Sequence, residues 1–244
     1  MHNYNNRRVL LTGAAGGLGA PLAKMLERAG AEVIALVRSE PDGGIPGAPK
    51  ARIIMVDLED FTELESVVNA EIAANGPIDT LINNAAIYPK ARVTGLEHQE
   101  LERVLKVNII APAILTKCCA EGMKTKHFGR VINISSIQFD LAFEELSAYV
   151  ASKGALIGIT RTMARDLGPY GITVNAVAPG AFKTDAEKIH TDPEAYSQFV
   201  LDQQALKRRG TPEDFANLVL FLGSEQAGFI TGQNIRVDGG WVTS

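Results

Sequence analysis

The stretch VLLTGAAGGLG, residues 9–19, joins an apolar run to a turn with four glycines, and a helical pattern follows it. Glycine adopts positive φ without strain and lets a bound group approach the backbone closely. The free N–H groups at the start of the following helix favour an anion at this place. A strand, a glycine-rich turn and a helix in this order therefore predict a phosphate-binding turn rather than an ordinary tight turn.

Beyond this turn, apolar β-branched runs alternate with longer helical patterns. The predicted strands are Val9–Thr12, Glu32–Val37, Arg52–Asp57, Thr80–Asn83, Arg130–Ser135, Thr173–Ala178 and Asn234–Val237. The predicted helices are Leu18–Ala29, Thr62–Asn75, Glu97–Met123, Tyr149–Leu167, Pro193–Leu206 and Pro212–Leu222. The alternation predicts an α/β protein with a doubly wound parallel sheet of about seven strands and helices on both faces.

One strong cluster of loop residues, the proline- and glycine-rich segment 41–49, lies between two predicted strands. It carries no clear helical pattern, so it predicts a shortened connection rather than a domain boundary. We therefore expect residues 1–244 to form a single domain.

Composition excludes several other classes of protein. The 244 residues are 46% hydrophobic and 21% charged, with a formal net charge of −4, which gives no electrostatic basis for a nucleic-acid partner. The adjacent Cys118 and Cys119 and four scattered histidines have no metal-ligand spacing, so no metal is expected. The first residues lack the apolar core of a signal peptide, and no apolar run could span a bilayer. The sequence thus predicts a cytoplasmic protein with no membrane partner.

Tyr149 and Lys153 stand four residues apart in a helical pattern, so their side chains lie on one helix face. An ammonium group near a phenol favours the phenolate and lowers the pKa of the phenol. The pair can therefore act as a base at neutral pH. The alternative is an aromatic side chain that packs beside a surface lysine.

Three further polar residues occupy places where chemistry is expected. Ser136 follows a predicted strand and could donate to a substrate oxygen. Asn108 lies between apolar neighbours in a predicted helix, where a buried amide needs a partner. Asn84 follows another strand, at the carboxyl edge where open α/β sheets bind ligands.

Together these features resemble the classical short-chain dehydrogenase/reductase family from Thr12 to Gly240. The matching segments are the glycine turn, NNAA at 83–86, the helix of Tyr149 and Lys153, PGAFKT at 179–184, and ITGQ followed by VDGG within 230–240. Ala86 departs from the family pattern, which has glycine at this position.

The resemblance implies a Rossmann-type fold and hydride transfer between a nicotinamide cofactor and a carbonyl or secondary alcohol. It implies that Tyr149 exchanges the proton and that Lys153 holds the nicotinamide ribose. By the same resemblance, Ser136 places the substrate oxygen, and Asn108 anchors a water that relays protons to Lys153. A cofactor-binding regulator without catalysis is the alternative of another class, but all four of these positions are intact.

The cofactor contacts implied by the resemblance extend along the chain. They are Thr12, Gly13, Gly17, Leu18, Gly19, Arg38, Ser39, Asp57, Leu58, Asn84, Ala85, Ala86, Tyr149, Lys153, Pro179, Gly180, Phe182 and Thr184. The residue that ends the second strand selects the cofactor, because a carboxylate there accepts from the ribose 2′-hydroxyl and an arginine binds a 2′-phosphate. Arg38 and Ser39 favour NADP(H). The alternative is that Arg38 stacks on the adenine and serves either NADP(H) or NAD(H).

The substrate contacts implied in the same way are Ser136, Gln138, Phe139, Glu145 and Tyr149, beneath a lid formed by residues 182–206. The polar groups favour a small hydroxylated molecule such as a sugar or polyol. The alternative is a 3-oxoacyl-carrier-protein reductase, for which Lys207, Arg208 and Arg209 would form the basic patch.

The long helical stretches Leu101–Met123 and Tyr149–Leu167 are rich in alanine, isoleucine and leucine. One face of each must cover the sheet, and the remaining apolar surface favours a partner. In the family that the chain resembles these helices form a dimer face. We therefore expect a homotetramer, with a dimer as the alternative.

Overall fold

In the computed structural model of the protein, residues 3–184, 187 and 191–243 are described. Within them, seven parallel strands form one sheet in the order β3-β2-β1-β4-β5-β6-β7. The strands are β1 (Arg8–Thr12), β2 (Glu32–Val37), β3 (Arg52–Met55), β4 (Thr80–Asn83), β5 (Gly129–Ile134), β6 (Ile172–Pro179) and β7 (Asn234–Val237). This is the doubly wound Rossmann-type sheet that the alternating pattern predicts.

Eight α-helices connect these strands within the described part of the chain. They are α1 (Gly19–Arg28), α2 (Phe61–Asn75), α3 (His98–Leu105), α4 (Ala111–Lys126), α5 (Gln138–Leu141), α6 (Ser147–Leu167), α7 (Pro193–Gln203) and α8 (Pro212–Gly223). None of the helices in the described ranges is long and apolar enough to cross a bilayer.

The sheet is covered on both faces because its strands are apolar on both sides, as parallel strands usually are. Helices α1 and α8 bury Leu22, Leu26 and Phe215 in one core cluster. Helices α2 and α4 bury Leu64 and Leu115 in a second cluster, which also includes Leu167 of α6.

The strand order reverses at β1, and this reversal places the site. Strand β1 pairs with β2 on one side and with β4 on the other, through Leu11 opposite Ala35 and Ile82. The chain leaves the sheet in opposite directions from neighbouring strands at such a point, which opens a crevice at their carboxyl ends.

One predicted helix, Glu97–Met123, is wrong in its continuity. The structure has α3, then a π-helical turn at Lys106–Ile110, then α4. Pro112 in the first turn of α4 has no N–H to donate, which favours a break in the regular hydrogen-bond ladder at this place. In the π turn the Ala111 N–H instead donates to the Lys106 carbonyl, five residues back.

The connection 41–49 has no helix, as its composition predicts. It still contributes to the core, because Ile45 and Ala48 are buried in the cluster beneath α1. Several other predicted ends differ slightly: for example, β3 ends at Met55 rather than Asp57, α6 begins at Ser147 rather than Tyr149, and α7 ends at Gln203 rather than Leu206. Helix α5 has no counterpart in the predicted elements, since four residues are too few for a periodic pattern.

Candidate active site

A cleft of about 590 Å³ opens at the carboxyl ends of the central strands. Its walls include most of the predicted cofactor residues: Gly13, Gly17, Leu18, Arg38, Ser39, Asp57, Leu58, Asn84, Ala85, Ala86, Tyr149, Lys153, Pro179 and Thr184. One cavity therefore connects the glycine turn with the tyrosine–lysine helix.

The glycine turn has the backbone shape that a phosphate-bearing group requires. Gly13 and Gly17 have φ of +67° and +53°, which strain any residue with a Cβ. A Cβ on Gly19 would lie 2.0 Å from the Gly13 carbonyl oxygen, whereas Gly16 and Gly17 have open space beside them. The turn is closed on its inner side and open toward the cleft, so it fits a bound pyrophosphate.

Thr12 and Asn84 hold the turn in place from below. The Thr12 Oγ1 accepts from the backbone N–H groups of Asn84 and Ala85, each at 2.9 Å. The Asn84 side-chain amide donates to the Thr12 carbonyl at 3.0 Å and to the Gly13 carbonyl at 3.2 Å. Thr12 is buried and does not line the cleft. Its side chain links the end of β1 to the segment after β4.

The end of the cleft next to β2 and β3, away from Tyr149, has more charged side chains than the sequence predicts. Besides Arg38 and Asp57, it is lined by Glu59 and Arg103, whose side chains form an ion pair at 2.9 Å. Asp57 accepts from the Glu59 N–H at 2.9 Å, and Asp60 caps α2. Sequence reasoning missed Arg103 because its helix lies far along the chain, and only the fold brings it to β3.

Tyr149 and Lys153 meet at the other end, beneath Ser136. The Lys153 Nζ is 5.4 Å from the centroid of the Tyr149 ring and donates to the Ile134 carbonyl at 2.6 Å. Tyr149 forms a hydrogen bond with Ser136, whose Oγ also accepts from the Gln138 N–H at 3.1 Å. The Tyr88 ring stands edge-on to the Tyr149 ring, with centroids 5.8 Å apart.

Burial changes the expected electrostatics of this pair. Burial raises the pKa of the Tyr149 phenol, and the hydrogen bond with Ser136 lowers it by less. Burial also lowers the pKa of the Lys153 amine from 10.5 to about 7. The expected lowering of the Tyr149 pKa by Lys153 is therefore not found in the chain alone, because burial disfavours the charged form of each group.

Asn108 lies on the π-helical turn and is buried. Its Oδ1 accepts from the Ile87 N–H, and its Nδ2 donates to the Ile87 carbonyl, both at 2.9 Å. The Nδ2 also donates to the Ser152 Oγ at 3.0 Å, and this hydroxyl donates to the Tyr149 carbonyl. The amide thus fixes the segment after β4 against α6. The water that the resemblance assigns to Asn108 remains a prediction.

Several predicted residues lie outside the cleft. The Phe182 ring is buried and packs edge-on against Phe215 in the core, and Gly180 lines a separate cavity of about 200 Å³. The Phe182 ring therefore packs in the core, and the cofactor contact that the resemblance implies for this position stays a prediction. Gly19 supports the turn without lining the cleft.

The predicted substrate residues are also spread out. The Gln138 Oε1 accepts from the Phe143 N–H at 3.3 Å, and the Phe139 ring covers Gly154 of α6. Glu145 has φ of +67°, and its carboxylate is 3.2 Å from Arg92, beside a different pocket. The Glu145 side chain is therefore not among the residues that line the cleft, and the substrate contact implied for it stays a prediction. Of the predicted lid, residues 185, 186 and 188–190 lie outside the described residues.

The fold and the cleft can be compared with known proteins. A family model described as enoyl-(acyl carrier protein) reductase matches residues 13–242. D-xylose 1-dehydrogenase of Caulobacter vibrioides is 35% identical, over 98% of this chain and 97% of that protein. The 3-oxoacyl-acyl-carrier-protein reductase of Escherichia coli is 32% identical, over 98% of each chain.

A solved structure of 4-hydroxyisoleucine dehydrogenase complexed with NADH superposes with a TM-score of 0.87. It is 30% identical in sequence, over 98% of this chain and 100% of that chain. The family model, both relatives and this structure agree with the motifs and the sheet order. The chain therefore belongs to the short-chain dehydrogenase/reductase family of oxidoreductases.

Proposed function

We propose that the protein is an NADP(H)-preferring enzyme that interconverts a carbonyl and a secondary alcohol on a small hydroxylated molecule such as a sugar or polyol. The observation that carries this proposal is the continuity of one cleft. It has a phosphate-binding glycine turn in its wall, Arg38 at one end, and Tyr149 with Lys153 at the other.

Tyr149, Ser136 and Lys153 divide the work on the substrate. A bound nicotinamide ring supplies the acceptor or donor of the hydride. In the oxidation direction, the Tyr149 phenolate takes the hydroxyl proton of the substrate while the carbon loses its hydride; reduction returns both. The Ser136 hydroxyl stabilises the charge that develops on the substrate oxygen. The Lys153 amine keeps donors free besides the one that binds Ile134, and these would hold the ribose hydroxyls.

Preference for NADP(H) rests on Arg38 and Ser39. A guanidinium binds a phosphate with two parallel hydrogen bonds, and a serine hydroxyl adds another. Replacing Arg38 by Ala is expected to lower kcat/KM with NADP by about 10- to 100-fold and to change kcat/KM with NAD little. The check is steady-state kinetics with each cofactor. A wild type that prefers NAD, as the NADH complex of the structural neighbour allows, would contradict this assignment.

The basic run 207–209 bears on the choice between a sugar and an acyl-carrier substrate. The Lys207 Nζ donates to the Leu201 and Gln204 carbonyls at 2.8 and 2.7 Å, at the end of α7. Arg208 forms a two-bond ion pair with Asp214, and Arg209 pairs with Glu187. Charges paired within the chain make a poor docking patch for an acidic carrier, so the small hydroxylated substrate is favoured.

The name of the most identical relative reported above, D-xylose 1-dehydrogenase, supports the same class of substrate. A panel of aldoses, polyols and 3-oxoacyl thioesters, followed by nicotinamide absorbance at 340 nm as the usual readout, tests the proposal. We expect turnover with an aldose or polyol. Turnover of thioesters above every sugar and polyol would favour the reductase instead, and no turnover with intact cofactor binding would favour the regulator.

We also propose that the protein is a homotetramer. The exposed face of α6 carries the small residues Ala151, Ala155 and Gly158, which permit close approach of another helix. Phe229 is fully exposed beside the edge of the sheet and would be covered in such an assembly. A monomer in light scattering would contradict it.

A further inference from the structure

Arg103 lines the cleft and belongs neither to the glycine turn nor to the group of Ser136, Tyr149 and Lys153. It lies on α3, across from the segment that follows β3, and its side chain is about half exposed. Both Arg103 and its partner Glu59 line the cleft beside Asp57 and Leu58. The fold therefore presents two arginines at this end, Arg38 at the end of β2 and Arg103 on α3.

The charge around Arg103 differs from the charge around Arg38. The Arg103 Nε donates to the Glu59 Oε1 at 2.9 Å, and Asp57 and Glu100 lie close enough to stabilise the same cation. No carboxylate partner of Arg38 occurs among the contacts of the described residues. A phosphate at Arg103 would be repelled by these carboxylates, so Arg103 is unsuited to a second phosphate contact.

The geometry instead suits a flat ligand. The Nε bond to Glu59 fixes one edge of the guanidinium, while its two terminal nitrogens have no partner within the described ranges. Apolar side chains, Leu36, Val56 and Val107, line the cleft nearby and can cover the other parts of a planar base. A guanidinium is planar and weakly hydrated, and it stacks readily on aromatic systems.

We propose that Arg103, oriented by Glu59, stacks on the adenine base of the bound dinucleotide and contributes to affinity for both NADP(H) and NAD(H). This inference rests on the proposed function, because it requires a dinucleotide in the cleft. It separates two tasks: Arg38 recognises the phosphate on the ribose, and Arg103 recognises the base.

The test compares Arg103→Ala, Arg103→Lys and Glu59→Gln with the wild type by isothermal titration calorimetry. The probes are ADP-ribose, NADP, NAD and nicotinamide mononucleotide. Arg103→Ala is expected to weaken the three adenine-containing probes by about 3- to 20-fold and to leave nicotinamide mononucleotide unchanged. Arg103→Lys restores little of the loss, because the ammonium has no plane. Glu59→Gln gives a smaller loss of the same kind.

Arg92→Ala is the matched control, since Arg92 also forms an exposed ion pair with a glutamate but lies outside the cleft. It should bind every probe as the wild type does. Unchanged binding of ADP-ribose by Arg103→Ala would overturn the inference and leave the proposed function intact. A loss confined to NADP would overturn it too, because Arg103 would then bind the phosphate. A wild type that binds none of the adenine probes would overturn both.

Discussion

At the scale of single residues, burial determines the resting state of Tyr149 and Lys153. Burial favours the neutral phenol and the neutral amine, which raises the pKa of Tyr149 and lowers the pKa of Lys153 to about 7. In the free chain the phenol is therefore a proton donor, which is the state that carbonyl reduction requires. Oxidation needs the phenolate, so its rate should rise with pH where the rate of reduction falls.

The lowered pKa of Lys153 makes a prediction about stability. The pKa of Lys153 is about 7 in the folded chain and 10.5 in its ordinary state. Between these two pH values the unfolded chain binds a proton on Lys153 that the folded chain does not. The free energy of unfolding therefore rises with pH. Lys153→Met removes this dependence. We therefore compare the free energy of unfolding of the variant minus that of the wild type at two pH values. This difference should fall by about 2–3 kcal/mol from pH 7 to roughly pH 9.5, because only the wild type becomes more stable.

Urea unfolding of both proteins at the two pH values measures this difference. The comparison between pH values cancels the constant cost of leaving the Ile134 carbonyl without its donor. A difference that is the same at both pH values would mean that buried Lys153 keeps its ordinary pKa.

At the scale of elements, a buried ion cluster ties α2 to the sheet at the edge opposite the cleft. Glu71 on α2 accepts from Arg8 at the start of β1, and its other oxygen is 3.1 Å from Arg52 of β3. Arg8 and Glu71 are buried, whereas about half of the Arg52 side chain is exposed. The cluster fixes α2, which begins beside Asp57 and Glu59. It therefore helps to hold the end of the cleft where we place the adenine base.

Removing one buried partner leaves the other charge unpaired, which is costly. Glu71→Gln is expected to lower the free energy of unfolding by about 3 kcal/mol. Arg52→Ala, which removes the exposed partner of the same carboxylate, should cost about 1 kcal/mol or less. Denaturant unfolding of the two variants at neutral pH compares them, and equal losses would contradict the role of burial.

The elements also show which features the sequence could predict. The strands and the longer helices could be predicted because their periodic patterns are local. The motif residues at the carboxyl edge could be predicted because they occur in the order typical of the family. The direction of the Glu145 side chain and the inward ring of Phe182 depend on tertiary partners. Arg92 and Phe215 lie far from those residues in sequence, so no local pattern could indicate them.

At the scale of the whole molecule, the reversal of strand order at β1 assembles the site. Arg38 follows β2 on one side of the reversal, while Ser136 follows β5 and Tyr149 and Lys153 lie on α6 on the other side. The residue that we propose selects the cofactor and the residues that we propose exchange the proton thus lie on different halves of one sheet. Binding and chemistry can therefore be altered separately by substitution.

We propose that the Tyr149 hydroxyl exchanges the proton in a reaction that uses a nicotinamide cofactor. The most direct measurement is turnover of the best substrate by Tyr149→Phe, with calorimetric binding of NADP by the same protein. Loss of the hydroxyl removes the acid–base group and leaves the ring in the cleft, so we predict turnover lower by about 10²–10⁴-fold and NADP binding close to that of the wild type. Turnover within a few-fold of the wild type would show that another group exchanges the proton, and would contradict the account.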